Sequence, residues 1–141
     1  MLKRLVGRLS PRRSRRAART ALDTQAFLQV ARQSFLQMQA AWDRADLPAM
    51  SKLASESLLQ DLREQLQQRG NVPNHTEVLE LNARLLALEE VREAYIASVE
   101  FTGLIREDLD QAAEPFCELW MLAKIKSADR GWQLARVQSL T

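Results

Sequence analysis

The sequence contains few of the residues on which enzymes and metal sites most often depend. It has one cysteine (Cys117), one histidine (His75) and four glycines. A single cysteine excludes an internal disulfide and a cysteine-based zinc site. The glycines form no phosphate-binding loop. The acidic pairs Glu89-Glu90 and Asp108/Asp110 are predicted to lie at solvated ends of strands and not to bind a metal ion. We therefore expect neither a metal ion nor a cofactor.

Long apolar runs are also missing. No segment has the 18 or more uncharged apolar residues that a membrane-spanning helix needs, so none is predicted. The 141 residues are 46% hydrophobic and 27% charged, which is ordinary for a soluble globular protein. A chain of this length forms one domain with a single hydrophobic core.

Acidic side chains are absent from the first 20 residues. Of the 20 basic and 18 acidic residues, eight basic and no acidic ones lie in 1–20. The remaining 121 residues therefore carry 12 basic and 18 acidic groups, a net charge of −6. A basic arm on an acidic body favours an electrostatic contact made by the arm.

The arm begins with an amphipathic pattern. Apolar residues at positions 2, 5, 6 and 9 fall on one face of a helix, and Pro11 ends the pattern. Residues 11–20 are almost only arginine, serine and alanine, which predicts disorder in solution. We predict a largely disordered arm at 1–22 and a folded domain at 23–141. The residues predicted to bind a membrane are Leu2, Lys3, Arg4, Leu5, Val6, Arg8, Leu9, Arg12, Arg13, Arg15 and Arg16.

Three helices are predicted at the start of the folded domain. Asp23 or Thr24 is suited to cap the first, which keeps an apolar stripe as far as Trp42. A second, short helix is predicted after Asp46, with Pro48 in its first turn. A third is predicted from Ser55 to a stop at Gly70.

Strand patterns dominate the second half of the chain. Segments 94–106, 115–126 and 132–138 alternate or carry β-forming residues, whereas 77–92 fits a helix and a strand equally well. The strand at 115–126 is apolar on both faces, so we expect it to be central and covered on each side. Helices followed by an antiparallel sheet predict an α+β fold with the helices on one face.

Four segments carry a family resemblance. They are FLQMQAAW at 35–42 with Asp46-Leu47, SVEFTGLIRED at 98–108, FCELW at 116–120 and GWQLARVQ at 131–138. In this order and at this spacing they resemble the Tim-forty-four-like domain family. The resemblance spans about residues 24–140. Arg136 departs from it, because a small residue is usual at that position.

The resemblance implies a cone like that of nuclear transport factor two (also called cystatin-like), with three helices packed on a curved antiparallel sheet of about four strands. It makes 77–91 the first long strand, against the helical propensity. It also implies peripheral membrane attachment and protein binding without catalysis, as in the inner-membrane tether of the mitochondrial import motor. We expect Trp120 and Trp132 to lie near each other in the core.

A small-ligand-binding protein or enzyme is the main alternative, because cone folds also host enzymes. Its cavity would be lined by Phe101, Phe116, Glu118, Trp120 and Trp132. Glu118 is the candidate acid, yet we favour a salt bridge at the sheet edge or at an interface, for example with Arg136, because no second catalytic group converges on Glu118. His75 is predicted at the surface and Tyr95 in the core.

The basic arm has three interpretations. It is a membrane element on anionic lipid, a mitochondrial presequence, or a tail that binds nucleic acid such as ribosomal RNA. RNA binding does not require the apolar face, so we rank it last. The expected partners are an anionic lipid surface, one or more unidentified proteins and a second copy of the chain. The expected location is the cytoplasmic face of a bacterial inner membrane, with the mitochondrial matrix or inner membrane as the alternative.

Overall fold

The computed structural model describes residues 14–70, 72–108 and 110–141, with side chains from Asp23 onward. The predicted membrane-binding residues 2–13 therefore lie outside the described residues. The elements in chain order are α1 (Ser14–Asp43), α2 (Leu47–Leu53), α3 (Glu56–Arg69), β1 (Glu77–Glu90), β2 (Ala94–Arg106), β3 (Glu114–Ile125) and β4 (Gln133–Ser139).

Helix α1 is longer than the sequence predicted. It begins at Ser14, so Asp23 and Thr24 lie inside the helix and the prediction that one of them caps it is wrong. Segment 14–22 contains alanine, arginine and leucine but neither proline nor glycine, and such residues continue a helix readily. Arg15 and Arg16 were predicted to lie in a disordered arm, but their backbone is part of this helix.

The ends of α2 and α3 follow from local chemistry, as predicted. The carboxylate of Asp46 accepts a hydrogen bond from the backbone N–H of Ala49 (3.1 Å), and this bond lowers the pKa of Asp46. The hydroxyl of Ser55 accepts one from the N–H of Leu58 (3.3 Å). Gly70, with φ of +64°, ends α3.

The four strands form one antiparallel sheet in the order β1-β2-β3-β4. The segment with ambiguous periodicity is strand β1, as the resemblance implied, and it pairs with β2 along its length. The predicted α+β fold of three helices followed by a four-stranded antiparallel sheet is confirmed.

All three helices pack on the same face of the sheet, called here the inner face. The core between them is one cluster of buried apolar residues, and its largest fully buried members include Trp120, Phe35 and Phe101. Trp132 is half-buried and packs against the same cluster, with its ring 4.9 Å from that of Phe27. Trp120 contacts Phe35 instead, so each tryptophan meets a different residue of α1.

Candidate functional site

The centre of the inner face is filled by aromatic rings. The ring of Phe35, from α1, lies 4.8 Å from Phe101, 5.6 Å from Phe116 and 5.0 Å from Trp120, measured between centroids. These distances are those of rings in direct contact. Three of the five predicted cavity residues, Phe101, Phe116 and Trp120, are therefore brought together. They all contact the ring of Phe35, which occupies the space between them. Sequence reasoning missed Phe35 as the centre of this cluster.

Glu118 lies at the margin of the aromatic cluster. It is half-buried, shares the inner face with Phe116 and Trp120, and accepts a hydrogen bond from the indole Nε1–H of Trp120 at 2.9 Å. The bond satisfies a buried indole donor, which is a structural role. His75 is exposed, as predicted, in the loop before β1.

The predicted salt bridge between Glu118 and Arg136 is excluded by the pairing of β3 and β4. Arg136 lies opposite Met121, whereas Glu118 lies opposite Ser139. Residues directly opposite each other point to the same side of a sheet, and odd and even positions of β3 point to opposite sides. A register shift between Met121 and Leu122 causes the difference, because it inserts one extra residue into β4 and turns Arg136 to the other face.

Tyr95 is exposed, so its prediction as a packed core residue is wrong. It lies on the inner face, but in the residue pair of β1 and β2 nearest to the turn that joins them. The helices do not cover this end of the sheet. The ammonium of Lys126 lies 4.9 Å from the centre of its ring and also forms an ion pair with Glu90. This contact ties the end of β3 to the hairpin between β1 and β2.

Asp43 joins the end of α1 to the start of the sheet. Its carboxylate accepts hydrogen bonds from the backbone N–H of Thr76 (2.7 Å), the hydroxyl of Thr76 (3.0 Å) and the side-chain amide of Asn74 (2.5 Å). Arg69 of α3 donates to the carbonyl of Trp42 (2.7 Å), so two polar residues fix the same helix end.

We expect Asp43→Ala to lower the free energy of unfolding by about 1–3 kcal/mol, because it leaves the part-buried N–H of Thr76 without its acceptor. Asp61→Ala, at an exposed position of α3, is the matched control and should change stability by about 0.5 kcal/mol or less. Urea unfolding followed by circular dichroism measures both. Equal midpoints for the two variants would contradict the role given to Asp43.

The opposite face of the sheet, called here the outer face, has no helix over it in the part of the chain that the structure describes. Strand β3 is central, as predicted, but the expectation that it is covered on both sides is wrong for these residues. Its outer side chains are half-buried only, and none of them joins the core cluster. The outer patch is defined as Ile96, Leu104, Cys117, Leu119, Met121 and Ala123.

Polar residues flank the outer patch. Arg84 of β1 forms an ion pair with Glu100 of β2 (3.1 Å), and Arg136 of β4 is exposed on the other side. Burial raises the pKa of the Cys117 thiol, and the negative charge of Glu100 raises it further. The apolar residues of the outer face therefore form a strip along β3, and the polar residues Ser98, Glu100 and Thr102 of β2 lie beside it.

The described residues offer no site for a metal ion, because no three of their histidine, cysteine, aspartate and glutamate side chains cluster together. Among the same residues, no helix has the length and apolar character that crossing a membrane requires.

The fold is thus an α+β cone whose inner face is packed with aromatic rings and whose outer face carries no helix among the residues that the structure describes. The sequence matches the Tim44-like (Tim-forty-four-like) domain over residues 12–139. The chain therefore belongs to the Tim44-like domain family. Comparison with curated protein sequences found no match.

Several solved structures are similar in fold. The intermembrane-space region of the chloroplast protein ARC6 has a TM-score of 0.54 at 8% identity, covering 80% of this chain and 95% of that one. A nuclear-transport-factor-two-like protein from Salmonella enterica has a TM-score of 0.46 at 10% identity, covering 82% and 91%. A ketosteroid isomerase-like protein from Erwinia carotovora has a TM-score of 0.45 at 12% identity, covering 78% and 93%. At such identities the likeness concerns the fold alone.

Proposed function

We propose that the protein is a non-enzymatic module that docks on an anionic membrane surface through its N-terminal arm and holds protein partners there. The observation that carries the proposal is the separation of charge: eight basic and no acidic residues in 1–20, against a net charge of −6 in the remainder. Membership of the Tim44-like domain family is consistent with a membrane-associated role in protein interaction, for instance in protein transport or membrane-protein biogenesis.

The physical basis of membrane binding is the sum of two weak terms. Each lysine or arginine close to an anionic membrane contributes about 1 kcal/mol. Apolar residues at positions 2, 5, 6 and 9 add burial at roughly 25 cal/mol per Å². Ordering the segment costs on the order of 1 kcal/mol per residue, so both terms are needed and the attachment is reversible. The proposed location is the cytoplasmic face of a bacterial inner membrane.

The packed interior favours this proposal over an enzyme. Catalysis in a cone fold requires space beside the acid or base, whereas the ring of Phe35 contacts those of Phe116 and Trp120 next to Glu118. The carboxylate of Glu118 is already held by the indole N–H of Trp120. A turnover that disappears in Glu118→Gln would nevertheless favour the enzyme.

Sedimentation with vesicles that contain anionic lipid tests the proposal. We expect binding by the full chain to fall steeply as salt rises, because charges are screened within about 10 Å at 0.1 M salt. Deleting residues 1–13 should abolish binding, and it leaves all of α1 in place. Leu5→Ser combined with Leu9→Ser should weaken vesicle binding about tenfold or more. Both substitutions are neutral, so they should leave binding to single-stranded RNA, which depends on charge, unchanged.

Leu36→Ser is the matched control, because Leu36 is 47% exposed on α1 and lies outside the arm. It should bind vesicles as the parent does. If the double variant binds vesicles as well as the parent, or if protein isolated from cells starts after residue 20, the arm is not a membrane element. Equal loss of vesicle and RNA binding would favour the ribosome-associated alternative.

A further inference from the structure

The two ends of the sheet differ in charge. One end consists of residues 77–80 and 106–114, where β1 begins and a turn joins β2 to β3. It is called here the acidic end, because six acidic residues and one basic residue give it a net charge of −5. These residues are Glu77, Glu80, Arg106, Glu107, Asp108, Asp110 and Glu114. Most of the net charge of −6 on residues 21–141 therefore lies at one end of the domain.

The opposite end, called here the turn end, consists of residues 88–95 and 124–132. It contains the turn between β1 and β2 and the turn between β3 and β4. Its four basic and four acidic residues cancel, and they are Arg92, Lys124, Lys126, Arg130, Glu89, Glu90, Glu93 and Asp129. It also carries four large hydrophobic side chains that are at least 36% exposed, Leu88, Val91, Tyr95 and Ile125. Exposed apolar surface thus occurs at this end without a net negative charge.

Backbone and side-chain contacts hold the turn end in one conformation. The backbone N–H of Lys126 donates to the carbonyl of Glu93 (2.9 Å), which joins the end of β3 to the turn between β1 and β2. In the turn between β3 and β4, the guanidinium of Arg130 donates to the carbonyl of Ser51 in α2 (3.3 Å). A surface that is fixed in this way loses little conformational entropy when it docks.

Helix α1 connects the turn end to the arm. Its Phe27 packs on Trp132 of the turn end, whereas its last residue, Asp43, accepts hydrogen bonds from Thr76 just before β1. The helix therefore crosses the sheet obliquely, from the β4 side at the turn end to the β1 side at the acidic end. Segment 14–26 slants past the turn end, so a surface that the arm binds lies on the same side of the domain as the turn end.

We propose that the turn end is a second contact with the anionic membrane, made beside the arm; this inference rests on the membrane function proposed above. The exposed basic side chains of the turn end meet lipid phosphates. Val91 and Ile125 enter the headgroup layer, and the ring of Tyr95 lies at its boundary, where an aromatic side chain with one polar end is favoured. The domain is thereby oriented on the membrane as well as tethered to it.

Charge selects this orientation. Tyr95 and Ile105 are ten residues apart on β2, so the two ends are separated by about 34 Å at about 3.4 Å per residue. Charges are screened within about 10 Å at 0.1 M salt, so the acidic end lies beyond the surface potential when the turn end faces the membrane. The reverse orientation would bring a net charge of −5 against anionic lipid. The turn end has no net charge, so it adds affinity only after the arm has brought the domain to the surface.

A fluorescent probe at each end of the sheet tests the orientation. Ser127→Cys at the turn end and Gln111→Cys at the acidic end change exposed, uncharged residues. Each is made in the full chain together with Cys117→Ser, so that an environment-sensitive dye labels one site. When vesicles that contain anionic lipid are added, emission from the dye at 127 should shift to shorter wavelength. Emission from the dye at 111 should not shift.

The affinity of the full chain for the same vesicles tests the basic side chains. Arg92→Gln with Lys124→Gln removes two cations from the turn end and should weaken binding about tenfold. Arg44→Gln with Arg63→Gln is the matched control, because it removes the same charge from exposed positions outside the turn end. This control should change the affinity by less than about twofold.

Neutral substitutions test the apolar side chains. Val91→Ser with Ile125→Ser removes two side chains that are 43% and 41% exposed, and it should weaken vesicle binding about fivefold. Val30→Ser with Leu36→Ser, both 47% exposed on α1, is the control and should bind as the parent does. Circular dichroism checks that each variant is folded, and the dye measurement decides the question if one of them is not.

The outcomes separate this inference from the membrane function. If the protein sediments with vesicles but the dye at 127 does not respond, the arm alone makes the contact, and the inference is overturned while the membrane function stands. A shift of the dye at 111, or equal affinities of the parent and the turn-end variants, would overturn it as well. If the full chain does not sediment with the vesicles at low salt, the membrane function is contradicted and this inference with it.

Discussion

Gly103→Ala should lower the free energy of unfolding by about 3 kcal/mol or more. A Cβ atom built on Gly103 would lie 1.9 Å from the carbonyl oxygen of Glu80 and 2.6 Å from its carbonyl carbon. Both are backbone atoms of the neighbouring strand, so no side-chain rotation relieves the clash, and the φ of +156° adds strain for any L side chain. Gly103 is the glycine of the SVEFTGLIRED segment at 98–108, which carries part of the family resemblance.

Gly131→Ala is the matched control for this prediction. Gly131 has a φ of +67°, yet a Cβ there would meet no heavy atom within 4 Å. The only cost is that of holding a residue with a side chain at positive φ, which lowers the free energy of unfolding by about 1–2 kcal/mol. Urea unfolding followed by tryptophan fluorescence measures both variants. If Gly131→Ala is the more destabilising of the two, close approach of β1 and β2 is not what requires glycine at position 103.

Phe35→Ala should cost about 3–5 kcal/mol, a large share of the stability of a domain this size. The ring of Phe35 is fully buried and contacts Phe101, Phe116 and Trp120, so its removal opens a cavity bounded by three rigid rings. The near-ultraviolet circular dichroism of Trp120 should change with it, because the ring that packs 5.0 Å away is gone.

The neighbouring residue provides the control. Leu36 is 47% exposed, and Leu36→Ala should change the free energy of unfolding by about 0.5 kcal/mol or less. A cost for Phe35→Ala below about 1 kcal/mol would mean that the core closes around the missing ring.

Features set by local chemistry were predictable from the sequence. The caps at Asp46 and Ser55 and the stop at Gly70 depend on a few neighbouring residues, and the structure has all three. The start of α1 was not predictable in this way. Asp23 is a good capping residue, but a cap is used only where the preceding residues leave the helix, and those before Asp23 continue it.

Features set by distant contacts were predicted less well. Strand β1 has helical composition, and its pairing with β2 overrides that preference, so the family resemblance was needed to identify it. The placement of Arg136 depends on one extra residue in β4, which alternation of side chains cannot reveal. The exposure of Tyr95 depends on where the helices end over the sheet, although its face was predicted correctly.

Helix α1 runs without a break from Ser14, which lies within the basic arm, to Phe27 and Phe35, which pack in the core. At 1.5 Å per residue, Ser14 and Phe27 are about 20 Å apart along the helix axis. The helix therefore sets the distance between the surface to which the arm binds and the packed domain. The helix also sets the rotation of the domain about the helix axis relative to the arm. One residue inserted between these two positions would turn the body by about 100° around the axis, and so change the direction in which the outer face points.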